Sequence, residues 1–276
     1  MKKYIIFIIG MTLQPVYASV RVLVPDTVVV ERSQNMLPEA GFFAQVENWF
    51  KSLYTTVRYS WFWFNESRSI VDGIWHISKL SSNKVTIIGS ARLKPHDYSY
   101  QQAYKLAHML AGNSFAVVTG GGSGIMQAAA EGTREYQNRF AMVNLGIGVE
   151  GLRNEGNNIN QQLIWAASFE IRQWLLFNFS CAIVAFSGGV GTLYELLQIL
   201  TLIDTKQMAA MPLILFGKEH WSPLVNWLKF LAAEKKLVSQ NIVDMLYVTD
   251  SVDEAFAHIQ QVCPAHAAKY PFNLLM

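Results

Sequence analysis

Cys181-Ala182-Ile183-Val184-Ala185-Phe186 is an uninterrupted apolar run that passes through Ser187-Gly188-Gly189-Val190-Gly191-Thr192 into a helical stretch carrying Leu193, Leu196, Leu197 and Leu200. An apolar strand without alternation is covered on both faces, which is the pattern of a parallel sheet between layers of helices. Glycines at 188, 189 and 191 leave no Cβ between the peptide N–H groups and a ligand, and the following helix places about half a positive charge at its start. An anion fits this turn, and Thr192 adds a hydroxyl donor. Glu195 lies three residues beyond Thr192 on the same helix face. A carboxylate beside an anion is unfavourable unless a cation or chemistry requires it, so Glu195 is the leading catalytic candidate. The structural alternative is an acid favoured by the first turn of any helix.

Two more strands end in glycine. Residues 115–119 run into Gly120-Gly121-Gly122-Ser123-Gly124-Ile125-Met126, and residues 85–88 run into Gly89-Ser90. In a doubly wound sheet, ligands bind outside the carboxyl ends of the strands, so three such turns at one edge define a nucleotide-sized crevice. Tight packing of helix on strand is the alternative for each turn taken singly. Neither major turn has the G-x-G-x-x-G spacing of a dinucleotide site, and no lysine follows Gly191 as a triphosphate-binding loop requires.

The alternation continues from about residue 84 to 259. Strands are expected at 85–88, 115–119, 140–145, 181–186, 213–216 and 246–248, and helices at 98–110, 125–136, 169–179, 193–202, 223–233 and 252–262. Ser251-Val252-Asp253-Glu254 has the form of a capping box for the last helix. The fold class is therefore α/β, a Rossmann-like doubly wound parallel sheet.

Residues 19–80 do not share this rhythm and form an aromatic-rich helical extension. Phe42, Val46, Trp49, Phe50 and Leu53 recur at helical spacing, so an amphipathic helix packed on the main domain or on a partner is expected. Lys51 and Arg58 flank the stripe and keep a membrane-surface helix open as the alternative. Lys2 and Lys3 precede an apolar run over residues 4–11, and Val16-Tyr17-Ala18 supplies small residues where a signal peptidase reads them. Residues 1–18 thus read as a signal peptide, with a buried N-terminal strand as the alternative, and 81–276 as the nucleotide-binding domain. Export to a periplasm or beyond follows if the leader is cut, and a cytoplasmic location otherwise. No later segment has the roughly twenty apolar residues of a membrane span.

The 276 residues include 22 basic and 20 acidic side chains without a dense basic stripe, which argues against nucleic-acid binding. The six histidines lack metal-ligand spacing, so neither a metal site nor a cofactor is expected. Cys181 falls in an expected buried strand and Cys263 near the C-terminus, and no disulfide is expected between them.

The succession of Gly89-Ser90, then Thr119-Gly120-Gly121-Gly122-Ser123-Gly124-Ile125-Met126, then Glu170-Ile171-Arg172, then Gly188-Gly189-Val190-Gly191-Thr192-Leu193-Tyr194-Glu195 resembles the LOG family. These are nucleotide phosphoribohydrolases, long labelled lysine decarboxylases. The resemblance spans about residues 84–259. It implies hydrolysis of the N-glycosidic bond of a nucleoside 5′-monophosphate to free base and ribose 5-phosphate, with Glu195 and Arg172 catalytic. By the same resemblance, the backbone of Gly188, Gly189, Val190, Gly191 and Thr192 holds the 5′-phosphate, and Gly121, Gly122, Gly124 and Met126 join Gly89 and Ser90 in shaping the crevice. A homodimer or larger homo-oligomer is also implied. The chain departs from the family pattern at Ser187, where proline is usual, and at Gln173, where lysine is usual. A carboxylate suits the developing oxocarbenium charge and can steer a water to the anomeric carbon, and Arg172 supplies a permanent positive charge beside it. The base is expected to be read from residues 146–160, among them Arg153, Asn154, Glu155, Asn157 and Asn158. A non-catalytic nucleotide sensor on the same fold is the alternative function. Decarboxylation would need a lysine for a pyridoxal phosphate Schiff base, and none lies in or beside either major glycine turn.

Overall fold

The computed structural model describes residues 40–80, 83–137, 142–156 and 159–263, apart from the side chains of residues 40–47 and 155. The expected leader over residues 1–18 lies outside them, as do the side chains of Phe42 and Val46. The chain divides into two units, Met1–Tyr54 and Thr55–Met276.

Of the first unit, the described part is the opening of a long helix, α1 (Ala40–Ser78), with Trp49, Phe50, Leu53 and Tyr54 exposed. The helix that the aromatic spacing predicts is present. No helix among the described residues is long and apolar enough to cross a membrane.

In the second unit, α1 exposes Val57, Tyr59, Trp61, Phe62, Trp63 and Phe64 and then becomes buried. Glu66 is buried and accepts a hydrogen bond from the Ser168 hydroxyl, Ser69 accepts one from the Ala167 N–H, and Ile77 and Leu80 enter the core.

The sheet is seven-stranded and parallel throughout. Its strands are β1 (Lys84–Ile88), β2 (Ala116–Thr119), β3 (Asn144–Val149), β4 (Gln162–Ala166), β5 (Ala182–Ala185), β6 (Leu213–Phe216) and β7 (Leu246–Thr249), in the order β4-β3-β2-β1-β5-β6-β7. Ile87, Val117 and Val184 face one helical layer, and Ile88, Val118 and Ile183 face the other. This is why the strands read as continuous apolar runs. The chain winds outward from β1 to β4, then returns to place β5 against the opposite edge of β1. That reversal is the topological switch point where such sheets bind ligands.

The helices are α2 (Tyr98–Gly112), α3 (Ile125–Thr133), α4 (Phe169–Phe177), α5 (Val190–Asp204), α6 (Lys218–Phe230), α7 (Gln240–Asp244) and α8 (Val252–Val262). Half of the expected capping box forms: the Glu254 N–H donates to the Ser251 hydroxyl, but the Ser251 N–H donates to the Thr249 hydroxyl, which in turn donates to the Glu254 carboxylate. Three expectations need correction. The strand expected at 140–145 is β3, which begins at Asn144 and runs through Gly146 and Gly148, residues that had read as loop. Its neighbour β4 was not anticipated. The two belong together: a Cβ on Gly148 would lie 2.4 Å from the Trp165 ring, so the glycine is what lets the β4 tryptophan lie on β3. Third, Cys181 and Cys263 form a disulfide, with Cα atoms 5.6 Å apart across 82 residues of sequence. It joins the residue before β5 to the residue after α8.

Closing so long a loop chiefly restricts the unfolded chain. Cys263→Ser is therefore expected to lower the unfolding free energy by about 2–4 kcal/mol, read by denaturant titration, and dithiothreitol should lower the wild type to match. Equal stability with and without reductant would show that the bridge does not form.

Candidate functional site

Strands β1, β2 and β5 end side by side, with Ile87 in register with Thr119 and Ile88 with Ala185. Their glycine turns open onto one cavity of about 890 Å³. Gly89, Ser90, Gly121, Gly122, Met126, Gly189, Val190, Gly191, Thr192, Arg172 and Glu195 all line it. Two residues expected there do not. Gly124 caps the start of α3, with its φ of 63° in the left-handed region, and Gly188 lies behind the turn.

Gly188 has a packing reason to lack a side chain, because a Cβ there would come within 2.1 Å of the Thr192 hydroxyl. Thr192 folds back over this glycine and is nearly buried. Helix α5 starts at Val190, earlier than its leucines suggest, so the amides of Val190, Gly191 and Thr192 form its open first turn at the cavity wall.

Glu195 is one turn further along α5 and 8 % exposed. Its Oε1 accepts a 2.7 Å hydrogen bond from Arg172 Nη1, an ion pair whose side chains are only 11 % and 10 % exposed. Arg172 Nε donates to the Ile147 carbonyl on β3 at 3.0 Å, which fixes the plane of the guanidinium. Helix α4, which carries Arg172, is anchored at its first turn: the Ser168 hydroxyl donates to Glu66 on α1 and accepts from the Ile171 N–H. Gly120 completes the seat, since a Cβ at this position would lie 1.9 Å from Arg172 Nη2.

Gln173 is fully buried, lines the cavity, and has no hydrogen-bond partner for either amide atom. Among the loop residues expected to read a base, Asn154 lines the cavity, and Arg153 pairs with Glu150 and lies 5.1 Å from the Trp165 ring. Asn157 and Asn158 lie outside the described residues. An apolar wall of Leu152, Trp165, Phe169 and Tyr194 was missed. Its signal was the short run Gln162-Leu163-Ile164-Trp165-Ala166 ahead of the Ser168 helix cap.

Fold and site together define a Rossmann-like α/β protein with a main-chain anion cradle beside a buried carboxylate–guanidinium pair. Residues 126–259 match the family described as "Possible lysine decarboxylase", in keeping with the LOG resemblance. No curated protein matches the chain. Among solved structures, the X-ray structure of TM1055 is 21 % identical, covering 65 % of this chain and 99 % of that one at a TM-score of 0.50. The molybdenum cofactor binding protein from the phototrophic bacterium Rippkaea orientalis is 17 % identical over 66 % of this chain and 97 % of its own, at 0.49. The Moco carrier protein from Chlamydomonas reinhardtii is 18 % identical over the same shares, at 0.47. At these identities the first likeness shows the fold, and the other two bear no further weight.

Gly120→Ala should displace the guanidinium, because its Cβ would overlap Arg172 Nη2. A crystal structure of the variant should show the Arg172–Glu195 contact lengthened or lost, and the melting temperature should fall, since separating a buried ion pair costs about 3–5 kcal/mol. A variant that keeps the contact and melts with the wild type would show that Gly120 does not seat Arg172.

Proposed function

We propose that this chain hydrolyses the N-glycosidic bond of nucleoside 5′-monophosphates, releasing the free base and ribose 5-phosphate. The observation that carries the reading is the placement of the Glu195 carboxylate, gripped by Arg172 through Oε1, on the same cavity wall as the first-turn amides of α5. A phosphate in that cradle sits at the helix N-terminus, where main-chain N–H groups and the helix dipole favour negative charge. The sugar then lies within reach of the carboxylate.

As the C1′–N bond breaks, its electron pair leaves with the base, which takes up a proton from solvent. Positive charge grows on the ribosyl centre, and Glu195 stabilises it electrostatically. A water oxygen bonds to C1′, and the carboxylate orients that water and accepts its proton. Arg172 holds the carboxylate in place through Oε1, and its own charge is permanent. The apolar wall of Trp165, Phe169 and Leu152 offers a face on which a base can lie.

The decarboxylase named in the family description does not fit this chain. Pyridoxal phosphate chemistry needs a Schiff-base lysine, and no lysine among the described residues lines the cavity. We also infer that the protein works outside the cytosol: the leader-like first eighteen residues and the Cys181–Cys263 disulfide both suit an oxidising compartment. Assembly into a homodimer or larger homo-oligomer belongs to the same proposal.

Incubation with AMP, GMP, CMP and UMP should release free base from at least one of them. Glu195→Gln should cut that release by about a hundredfold or more while ribose 5-phosphate still binds, since the lost charge acts on the transition state. Near-wild-type turnover in this variant would remove the mechanism. Tight nucleotide binding by the wild type without base release would leave a sensor. Intact mass of the protein from its native host should show a chain beginning at Ser19; an uncut N-terminus would count against a cleaved leader.

A further inference from the structure

We propose that His220 is a positioning residue for the phosphate cradle, acting through the Gly188 amide: the Gly188 N–H donates to His220 Nε2 at 3.3 Å. The inference rests on the nucleotide reading of the cavity.

The turn between β5 and α5 contains glycines at 188, 189 and 191, and glycine loses more backbone freedom on being fixed than any other residue. Its shape must come from its surroundings. On the β1 side, the Ser90 N–H donates to the Ser187 carbonyl at 3.1 Å, and the Ser99 and Ser187 hydroxyls are 3.3 Å apart. On the β6 side, the tether is His220.

The element presenting His220 is itself pinned. The Gly217 N–H donates to the Thr249 carbonyl at 2.9 Å, and the Lys218 N–H donates to Asp250 Oδ1 at 2.7 Å. Trp221, 1 % exposed, donates its indole N–H to the Ala185 carbonyl, the last residue of β5, at 3.1 Å. The imidazole stands edge-on to the Trp221 ring, with centroids 4.8 Å apart at 89°. The backbone around His220 is thus fixed on both sides, while the imidazole itself is exposed.

Gly188 does not line the cavity, whereas Gly189, Val190, Gly191 and Thr192 do. Fixing the first amide sets the direction of those that follow. His220 does not line the cavity, so its effect reaches a ligand only through the loop. Its loss should weaken the hold on the phosphate end and spare the bond-breaking step.

Ribose 5-phosphate binding measured by calorimetry, alongside KM and kcat for base release from AMP, tests this. His220→Phe keeps a ring beside Trp221 and lacks an acceptor, whereas His220→Gln carries a carbonyl oxygen near the position of Nε2. His220→Phe is expected to bind ribose 5-phosphate about three- to tenfold more weakly, the scale of one hydrogen bond, and to raise KM alike with kcat nearly unchanged. His220→Gln should restore both. Undiminished binding in His220→Phe, or His220→Gln as weak as His220→Phe, overturns the proposal, as does a wild type that does not bind ribose 5-phosphate. The two readings fail separately: a wild type that binds ribose 5-phosphate but releases no base sinks the hydrolase and leaves the His220 result standing on binding. Base release together with intact binding in His220→Phe removes His220 alone.

Discussion

The buried ion pair between Arg172 and Glu195 is the contact on which the rest of the site depends. Taking both charges out of water costs several kcal/mol per ion, and their attraction offsets that only when the geometry is good and the remaining donors are satisfied. Much of the local architecture serves that condition. The Ile147 carbonyl on β3 takes the guanidinium Nε–H, the absent side chain of Gly120 leaves room for Nη2, and Glu66 on α1 fixes the Ser168 cap of the helix that carries the arginine. The pair bridges α4, which follows β4, and α5, which follows β5. It therefore closes the cavity across the point where the strand order reverses.

Strand β5 delivers the cradle, and it is clamped at both ends. At its entry, Cys181 is bonded to Cys263 beyond α8, and at its exit the Ala185 carbonyl accepts the Trp221 indole N–H. The glycine turn follows directly, so the most flexible part of the site hangs from one of its most constrained strands. Anchoring of this kind lets a loop rich in glycine hold one shape without carrying bulky residues that would block the ligand.

What the sequence discloses follows the range of the interactions. Parallel strands buried on both faces appear as apolar runs, and glycine turns appear as glycines, so β1, β2, β5, β6 and the three turns are legible from local pattern. The LOG resemblance names Glu195 and Arg172, but the hydrogen bond between them spans 23 residues and belongs to tertiary packing. The same limit hides the disulfide, because Cys181 just before β5 and Cys263 just after α8 are 82 positions apart in sequence and nothing local marks them as neighbours. Strand β4 was missed for a different reason. It lies at the sheet edge with only Ile164 and Ala166 buried, and the glycines of β3, of which Gly148 makes room for Trp165, look like loop signals themselves. His220 is a lone histidine early in α6, and only the fold brings it to Gly188.

Gln173 shows how charge is apportioned in the cavity. Where the related pattern carries lysine, this chain buries a neutral amide with neither polar atom paired, beside an arginine whose charge is already matched by Glu195. A lysine there would add a second buried cation against a single carboxylate. Without it, the cations among the described residues that line the cavity are Arg172, committed to Glu195, and the exposed Arg92. Under the proposed function, a phosphate at α5 would be met mainly by oriented main-chain N–H groups, which act over hydrogen-bond distances and depend on direction more than a point charge does. A site built this way gains little from long-range attraction and depends on the turn keeping its shape, and the structure accordingly places its supporting contacts behind the glycines of that turn.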